Sequence, residues 1–211
     1  CVSVVLLAVL LAAFNVVTDP FGVFGDRVLD WWSYNETNNP RVAKFSYLEE
    51  HHQEYDSYII GCSSTSSYPK ERLDAYFGAN FYNLIMYGAD MKDVEQYVRY
   101  LLEHYTVKNL VLNVYVGNGQ TYGAQSDPLT DAMPWQVDGS SPLAFYTRYL
   151  FADPRYGWTK LQKLRTDSVV QQVPNVFQVA SGEYDKSRPV EAHHARKAEY
   201  LADNPVFTDD P

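Results

Sequence analysis

A run of hydroxyl-bearing side chains after a short apolar segment is the stretch of this chain most suited to chemistry. Tyr58, Ile59 and Ile60 form the kind of apolar run that is buried in a parallel sheet, and Gly61 ends it. Ser and Thr residues fill the positions from Ser63 to Ser67. In α/β folds a strand that ends in glycine and opens onto small residues presents a nucleophile or an anion site. Ser63 is therefore the first candidate nucleophile, although such clusters also occur in plain loops.

The elements that would position Ser63 follow a repeated pattern of strand, glycine and helix. Apolar runs over 81–87 and 110–116 are each followed by glycine, at Gly88 and Gly117. Apolar residues at helical spacing separate the runs, with Asp90 as the N-cap of one helix. The fold class predicted from this alternation is α/β, with a parallel sheet and helices on both faces. Helices are predicted over 41–53, 69–77, 90–105, 141–151 and 158–164, and a long loop facing the substrate over 121–140.

The serine block resembles a known family. The segment Gly61-Cys62-Ser63-Ser64-Thr65 is similar to the first block of the SGNH (GDSL-like) hydrolases, in the Gly-Ser-Ser variant of membrane-anchored bacterial members related to polysaccharide and teichoic-acid O-acylation proteins. The resemblance covers about residues 41–118 and implies a three-layer, flavodoxin-like sandwich that is incomplete at its C-terminus. It also implies that Ser63 is the catalytic serine, with oxyanion donors at Ser63, Gly88 and Asn118.

Each of these positions has a plainer interpretation. Gly88 would be a turn glycine in any α/β protein, and Asn118 between two glycines suits a left-handed turn. Asn113 is a weaker candidate for the amide donor, because inside a strand its side chain would point into a face of the sheet. Cys62 is a rival nucleophile, but no helix-spaced histidine accompanies it.

The general base is missing from the sequence. The family carries its acid and base as Asp-x-x-His near the end of the domain, and these 211 residues contain no such motif. His51 and His52 precede the first strand, at the wrong end of the sheet. His104 reads as a helix C-terminal residue, and His193 and His194 as part of a solvated helix face. We expect the last strands and the Asp-His pair to lie beyond residue 211; loss of catalysis is the alternative.

The beginning of the chain predicts a membrane anchor. Residues 1–17 are apolar apart from Ser3 and Asn15, and Asp19-Pro20 ends the segment. We divide the chain into a transmembrane anchor at 1–18, truncated at its start, a juxtamembrane connector at 19–40 and an SGNH-like domain at 41–211. A cleaved signal peptide and a buried core helix are the alternatives for the first segment.

Composition narrows the classes of partner. A net charge of −9 and the lack of a Lys or Arg run argue against nucleic acid. No phosphate loop, dinucleotide fingerprint or metal-ligand spacing is present, so no cofactor or metal is expected. The 18 tyrosines suit either a packed core or a surface that faces carbohydrate.

Three functional hypotheses follow. The first is a single-pass, extracytoplasmic esterase or O-acyltransferase of the cell membrane that acts on an acylated cell-surface polysaccharide, with Ser63 as nucleophile. The second is a non-catalytic relative that binds glycan or an assembly partner. A third, a cytoplasmic flavodoxin-like binding domain, would require the first segment to be a core helix.

Overall fold

The computed structural model describes residues 2–29, 38–68, 70–114 and 127–165. Three parallel strands and a set of helices make up these ranges. The helices are α1 (Val2–Thr18), α2 (Pro40–His51), α3 (Lys70–Phe77), α4 (Met91–His104), α5 (Trp135–Asp138), α6 (Pro142–Leu150) and α7 (Pro154–Arg165). The strands are β1 (Ser57–Gly61), β2 (Phe81–Ile85) and β3 (Asn109–Leu112), and two 3-10 turns lie at His52–Glu54 and Ser63–Ser67.

The sheet is parallel, with β1 in the centre and the order β2-β1-β3. Gly61 at the end of β1 is in register with Ile85 of β2, and Ile60 is in register with Leu112 of β3. The prediction of an α/β protein with a parallel sheet is confirmed at this level. The third strand is shorter than its predicted span of 110–116, since β3 ends at Leu112 and residues 115–116 lie outside the described ranges.

Helices cover both faces of the sheet because alternate side chains of a strand point to opposite sides. Tyr58 and Ile60 of β1 belong to the core cluster that includes apolar residues of α2 and α4. Ile59 packs instead with Phe81 and with Leu73 of α3. The central strand is therefore buried on both faces, as its continuous apolar sequence predicts.

Local capping determines where the helices begin. Asp90 is the N-cap of α4, as predicted, and forms a capping box in which its carboxylate accepts from the Asp93 amide at 2.9 Å. Ser141 caps α6 ahead of Pro142, also as predicted. Asn39 caps α2 in the same way.

Helix α1 exposes apolar side chains over most of its surface. Val4, Val5, Leu6 and Leu7, which together surround the helix, are all more than half exposed. Its 17 residues have a length of about 26 Å, because an α-helix rises about 1.5 Å per residue. The hydrocarbon core of a bilayer is about 30 Å thick. Among the described residues no helix combines the length and apolar character needed to cross a membrane. The anchor at 1–18 stays a prediction.

The last turn of α1 packs against α6 and α7. The buried Asn15 side chain donates to the carbonyl oxygens of Leu150 and Ala152 at 3.0 and 2.9 Å. Gly157 of α7 lies so close to α1 that a Cβ there would be 2.4 Å from Thr18 Oγ1. The end of α1 is therefore held against these two helices by specific contacts.

A buried ion pair continues this contact into the segment after α1. Lys160 of α7 donates to Asp26 Oδ1 at 2.6 Å and to the Asp19 carbonyl at 3.0 Å, and the Lys160 and Asp26 side chains are about 5% exposed. The Asp19 carboxylate accepts from three backbone amides, those of Val23, Phe24 and Asp26. Burial raises the pKa of Asp19 to about 6, against the opposing effect of these amides.

Phe21 shows that the segment predicted as a connector contributes to the core. Its side chain is buried, and its ring centroid lies 5.2 Å from that of Tyr149 and 4.9 Å from that of Tyr156. Phe21 therefore packs against the domain rather than away from it. The predicted connector residues 30–37 lie outside the described ranges.

Candidate functional site

Ser63 is the first residue of the 3-10 turn that follows the central strand, and its side chain is exposed. The turn is fixed by its neighbours. Thr65, which is buried, donates its amide and its hydroxyl to the Cys62 carbonyl at 3.0 and 2.9 Å. Asn83 of β2 donates to the Thr65 carbonyl at 2.9 Å. Ser63 is thus presented at the carboxyl edge of the sheet by a turn that is hydrogen-bonded to the neighbouring strand.

Gly61 allows the chain to turn sharply before Ser63. A Cβ at this position would lie 2.5 Å from Thr65 Cγ2 and 2.6 Å from the Cβ of Asn113. Both distances are far below van der Waals contact, so a side chain here would push the turn away from β3. The glycine is required by close packing.

We expect Gly61→Ala to lower the free energy of unfolding by about 1–3 kcal/mol, because it overpacks a buried strand end. Urea denaturation followed by circular dichroism measures this. Gly78→Asn is the matched control. Gly78 has a left-handed φ of +57°, which asparagine tolerates, and a Cβ added there would meet no atom within 4 Å. Adding Thr65→Ser to Gly61→Ala removes one clashing methyl and should recover part of the loss. Equal unfolding midpoints for Gly61→Ala and Gly78→Asn would contradict the packing argument.

A side-chain network joins the serine turn to β3. Ser64 Oγ donates to Asn113 Oδ1 at 2.8 Å, and Asn113 Nδ2 donates to the Tyr68 hydroxyl at 2.7 Å. Cys62 Sγ lies 3.2 Å from Ser64 Oγ and 3.6 Å from Asn113 Oδ1. Sequence reasoning expected Asn113 to point into a face of the sheet. In the structure Asn113 directly follows β3, its amide donates to the Ile60 carbonyl at 2.9 Å, and its side chain reaches the serine turn.

Gly88 lies at the same edge of the sheet as Ser63. It follows β2, whose last residue, Ile85, is in register with Gly61. The next amide, that of Met86, donates to the Gly61 carbonyl at 2.9 Å, so the two strand ends stay joined beyond the ladder. Gly88 is exposed, has a φ of +62°, and has open space where a Cβ would stand.

The third predicted site residue, Asn118, lies outside the described ranges. Of the three residues expected at the site, the structure therefore locates Ser63 and Gly88. The structure also places Asn113, which follows β3, next to the serine turn. Asn113 and Gly88 thus follow the two strands that flank β1.

The strand order identifies this edge as the natural position for a ligand. From β1 the chain goes to β2 on one side, and then returns past β1 to β3 on the other. In open α/β sheets ligands bind outside the carboxyl ends of the strands at the point where the order reverses. Here that point lies between β1 and β3, where Ser64 and Asn113 are hydrogen-bonded.

The histidines within the described ranges lie elsewhere. His51 and His52 are at the C-terminal end of α2, and the His52 ring stacks on Tyr105 with centroids 4.9 Å apart. His104 is the last residue of α4, and its Nδ1 lies 2.9 Å from the Tyr100 carbonyl. Both positions agree with the structural roles expected from the sequence. His193 and His194 are outside the described ranges.

No protein-family model, curated protein or solved structure matches this chain significantly. The fold alone defines its class, which is that of an α/β protein with a small parallel sheet. Within the described ranges no cluster of three or more potential metal ligands occurs.

Proposed function

We propose that this protein is a membrane-anchored SGNH-like esterase or O-acyltransferase that acts on an acylated cell-surface polysaccharide on the extracytoplasmic side. The observation that carries the proposal is the position of Ser63. It is an exposed hydroxyl in a hydrogen-bonded turn directly after the central strand, at the edge where the strand order reverses. The domain in this proposal is the three-layer, flavodoxin-like sandwich of that family.

The proposed reaction is an acyl transfer in two steps. Ser63 Oγ attacks the acyl carbonyl and loses its proton to a base, and the glycan oxygen leaves with a proton as an alcohol. Water or a second hydroxyl then attacks the acyl-serine and releases Ser63. The proposal requires the complete gene product to supply the base, because the 211 residues contain no Asp-x-x-His.

Backbone amides at the strand ends suit the charge that develops in this reaction. The first backbone hydrogen bond of the serine turn is that of the Thr65 amide, and in this proposal the preceding amides of Ser63 and Ser64 act as donors. Gly88 adds an amide at the neighbouring strand end. Donors held in advance around a developing oxyanion are the largest catalytic contribution in many acyl transfers. In this proposal Asn118 supplies a further donor.

Membrane attachment is proposed from α1. Apolar residues on all sides of a helix are expected for a helix in lipid or in a large core, and the first turns of α1 are exposed. The juxtamembrane position of the domain would keep it close to the polysaccharide at the cell surface.

A fluorophosphonate probe tests the nucleophile directly. We expect the complete gene product to be labelled in the tryptic peptide 45–70, with fragmentation placing the adduct on Ser63 rather than on Ser64. Prior incubation with an acyl ester should slow the labelling. An adduct confined to Ser64 would contradict the assignment of the nucleophile, and the absence of any adduct would contradict the enzyme.

One observation favours the second candidate, a non-catalytic domain that binds glycan or an assembly partner. It is the absence of Asp-x-x-His from the sequence. This candidate predicts that the complete gene product resists the probe but is retained on immobilised cell-surface polysaccharide.

A further inference from the structure

A buried arginine contacts the peptide that carries the proposed oxyanion donor at Gly88. Arg41 lies in the first turn of α2, and its side chain is 7% exposed. One terminal nitrogen donates to the Tyr87 carbonyl at 2.7 Å, and the other donates to Asp93 Oδ2 at 3.0 Å. Tyr87 immediately precedes Gly88. The Arg41 side chain therefore holds the carbonyl half of the Tyr87–Gly88 peptide.

The planarity of the peptide group extends this contact to the Gly88 amide. The Tyr87 carbonyl and the Gly88 N–H belong to the same trans peptide unit, so they point in opposite directions. Because the carbonyl points to Arg41, the N–H must point away from Arg41. The orientation of the amide is thus set by a side chain that does not touch it.

Gly88 and the serine turn follow neighbouring strands that end at the same edge of the sheet. Arg41 belongs to α2, which packs on the same face of the sheet as α4. Tyr68, at the end of the serine turn, packs on the opposite face with Ile59. The serine turn and most of α2 therefore pack on different faces of the sheet near the end of β2.

We propose that Arg41 is a positioning residue for the acyl-transfer site, and that it orients the Gly88 N–H toward the oxyanion formed when Ser63 attacks. This inference rests on the proposed function. Asp93 completes the arrangement, because the same carboxylate oxygen that accepts from Arg41 also accepts from the Asp90 amide at 3.3 Å. Arg41 is thereby anchored to the N-terminus of α4.

The guanidinium fork explains why arginine is needed here. Its two terminal nitrogens reach Asp93 and the Tyr87 carbonyl at once from a fixed planar group. A lysine is a single point charge, so it can keep the ion pair with Asp93 but cannot hold both partners in this geometry. Arg41→Lys therefore removes the positioning contact and preserves the charge.

Kinetics of the complete gene product test the role. We expect Arg41→Lys to lower kcat for acyl-ester hydrolysis by about 10²-fold, the usual loss for one oxyanion donor, with KM changed by less than about threefold. Arg99→Lys is the matched control, since Arg99 forms an exposed ion pair with Glu95 on α4, and it should keep the wild-type kcat. The folded fraction of each variant is measured by urea denaturation, so that a loss of stability is not read as a loss of kcat.

A second measurement follows the amide itself. In protein labelled with ¹⁵N-glycine, the Gly88 resonance, assigned from Gly88→Asn, should shift in Arg41→Lys and stay in place in Arg99→Lys. An unchanged Gly88 resonance, or an unchanged kcat of Arg41→Lys in an active protein, overturns this inference alone. A wild-type protein without acyl-ester activity overturns the proposed function and the role of Arg41 with it.

Discussion

Replacement of Ser63 with alanine is expected to lower the release of acyl groups from an O-acylated polysaccharide by at least about 10⁴-fold, as for other serine nucleophiles. The physical reason is that alanine lacks the oxygen that forms the covalent intermediate, while the turn around it is unaffected. Ser63 is exposed, and the hydrogen bonds that fix the turn are made by Cys62, Thr65 and Asn83. The loss should therefore appear in kcat without a change in the unfolding midpoint.

Two variants serve as controls for Ser63→Ala. Ser64→Ala removes a hydrogen bond to Asn113 that is worth about 0.5–1.5 kcal/mol, so we expect at most about a tenfold decrease in activity. Thr159→Ala changes an exposed hydroxyl-bearing residue of α7, away from the serine turn, and should leave the activity as it is. Acyl release is measured in the complete gene product from polysaccharide carrying a known acyl group. Full activity of Ser63→Ala, or a larger loss in Ser64→Ala, would contradict the assignment.

The parallel sheet could be predicted because its signals are local. Each strand is a short apolar run ended by glycine or a turn, and the N-caps Asp90 and Ser141 stand directly before their helices. These features depend on a few neighbouring residues, so they can be read without knowledge of the fold. The serine turn was located for the same reason, since it follows the first of these strands.

The end of β3 could not be predicted, because it depends on another strand. The apolar sequence continues to residue 116, but the ladder stops at Leu112. Its partner β1 ends at Gly61, where the chain leaves for the serine turn. Asn113 is the first residue after β3, and its amide still donates to the Ile60 carbonyl at 2.9 Å while its side chain reaches Ser64. Sequence periodicity alone assigned it to a strand interior.

The contact of Arg41 with the Tyr87 carbonyl is likewise invisible to sequence patterns. The two residues are 46 positions apart, and they lie on different elements of the fold. Only the packing of α2 beside the end of β2 brings the guanidinium to that carbonyl. A buried arginine at the start of a helix is a weak signal until its partners are known.

A buried contact that the sequence does not reveal is the ion pair between α7 and the segment after α1. We expect Lys160→Met to lower the free energy of unfolding by about 3–5 kcal/mol. Methionine fills a similar volume, but it leaves the buried Asp26 carboxylate without its cation and the Asp19 carbonyl without the ammonium donor. An uncompensated buried charge is far more costly than the loss of the pair as a whole.

Removing the charge of Asp26 at the same time separates the cost of an unpaired buried carboxylate from the cost of losing the ion pair itself. The double variant Lys160→Met with Asp26→Asn should be more stable than Lys160→Met, because a buried amide costs less than a buried carboxylate. Arg155→Met, which breaks the exposed ion pair with Asp153, is the control and should cost less than about 1 kcal/mol. Urea denaturation in detergent gives all four unfolding curves. If Lys160→Met costs no more than Arg155→Met, the segment after α1 is not held to α7 by this pair.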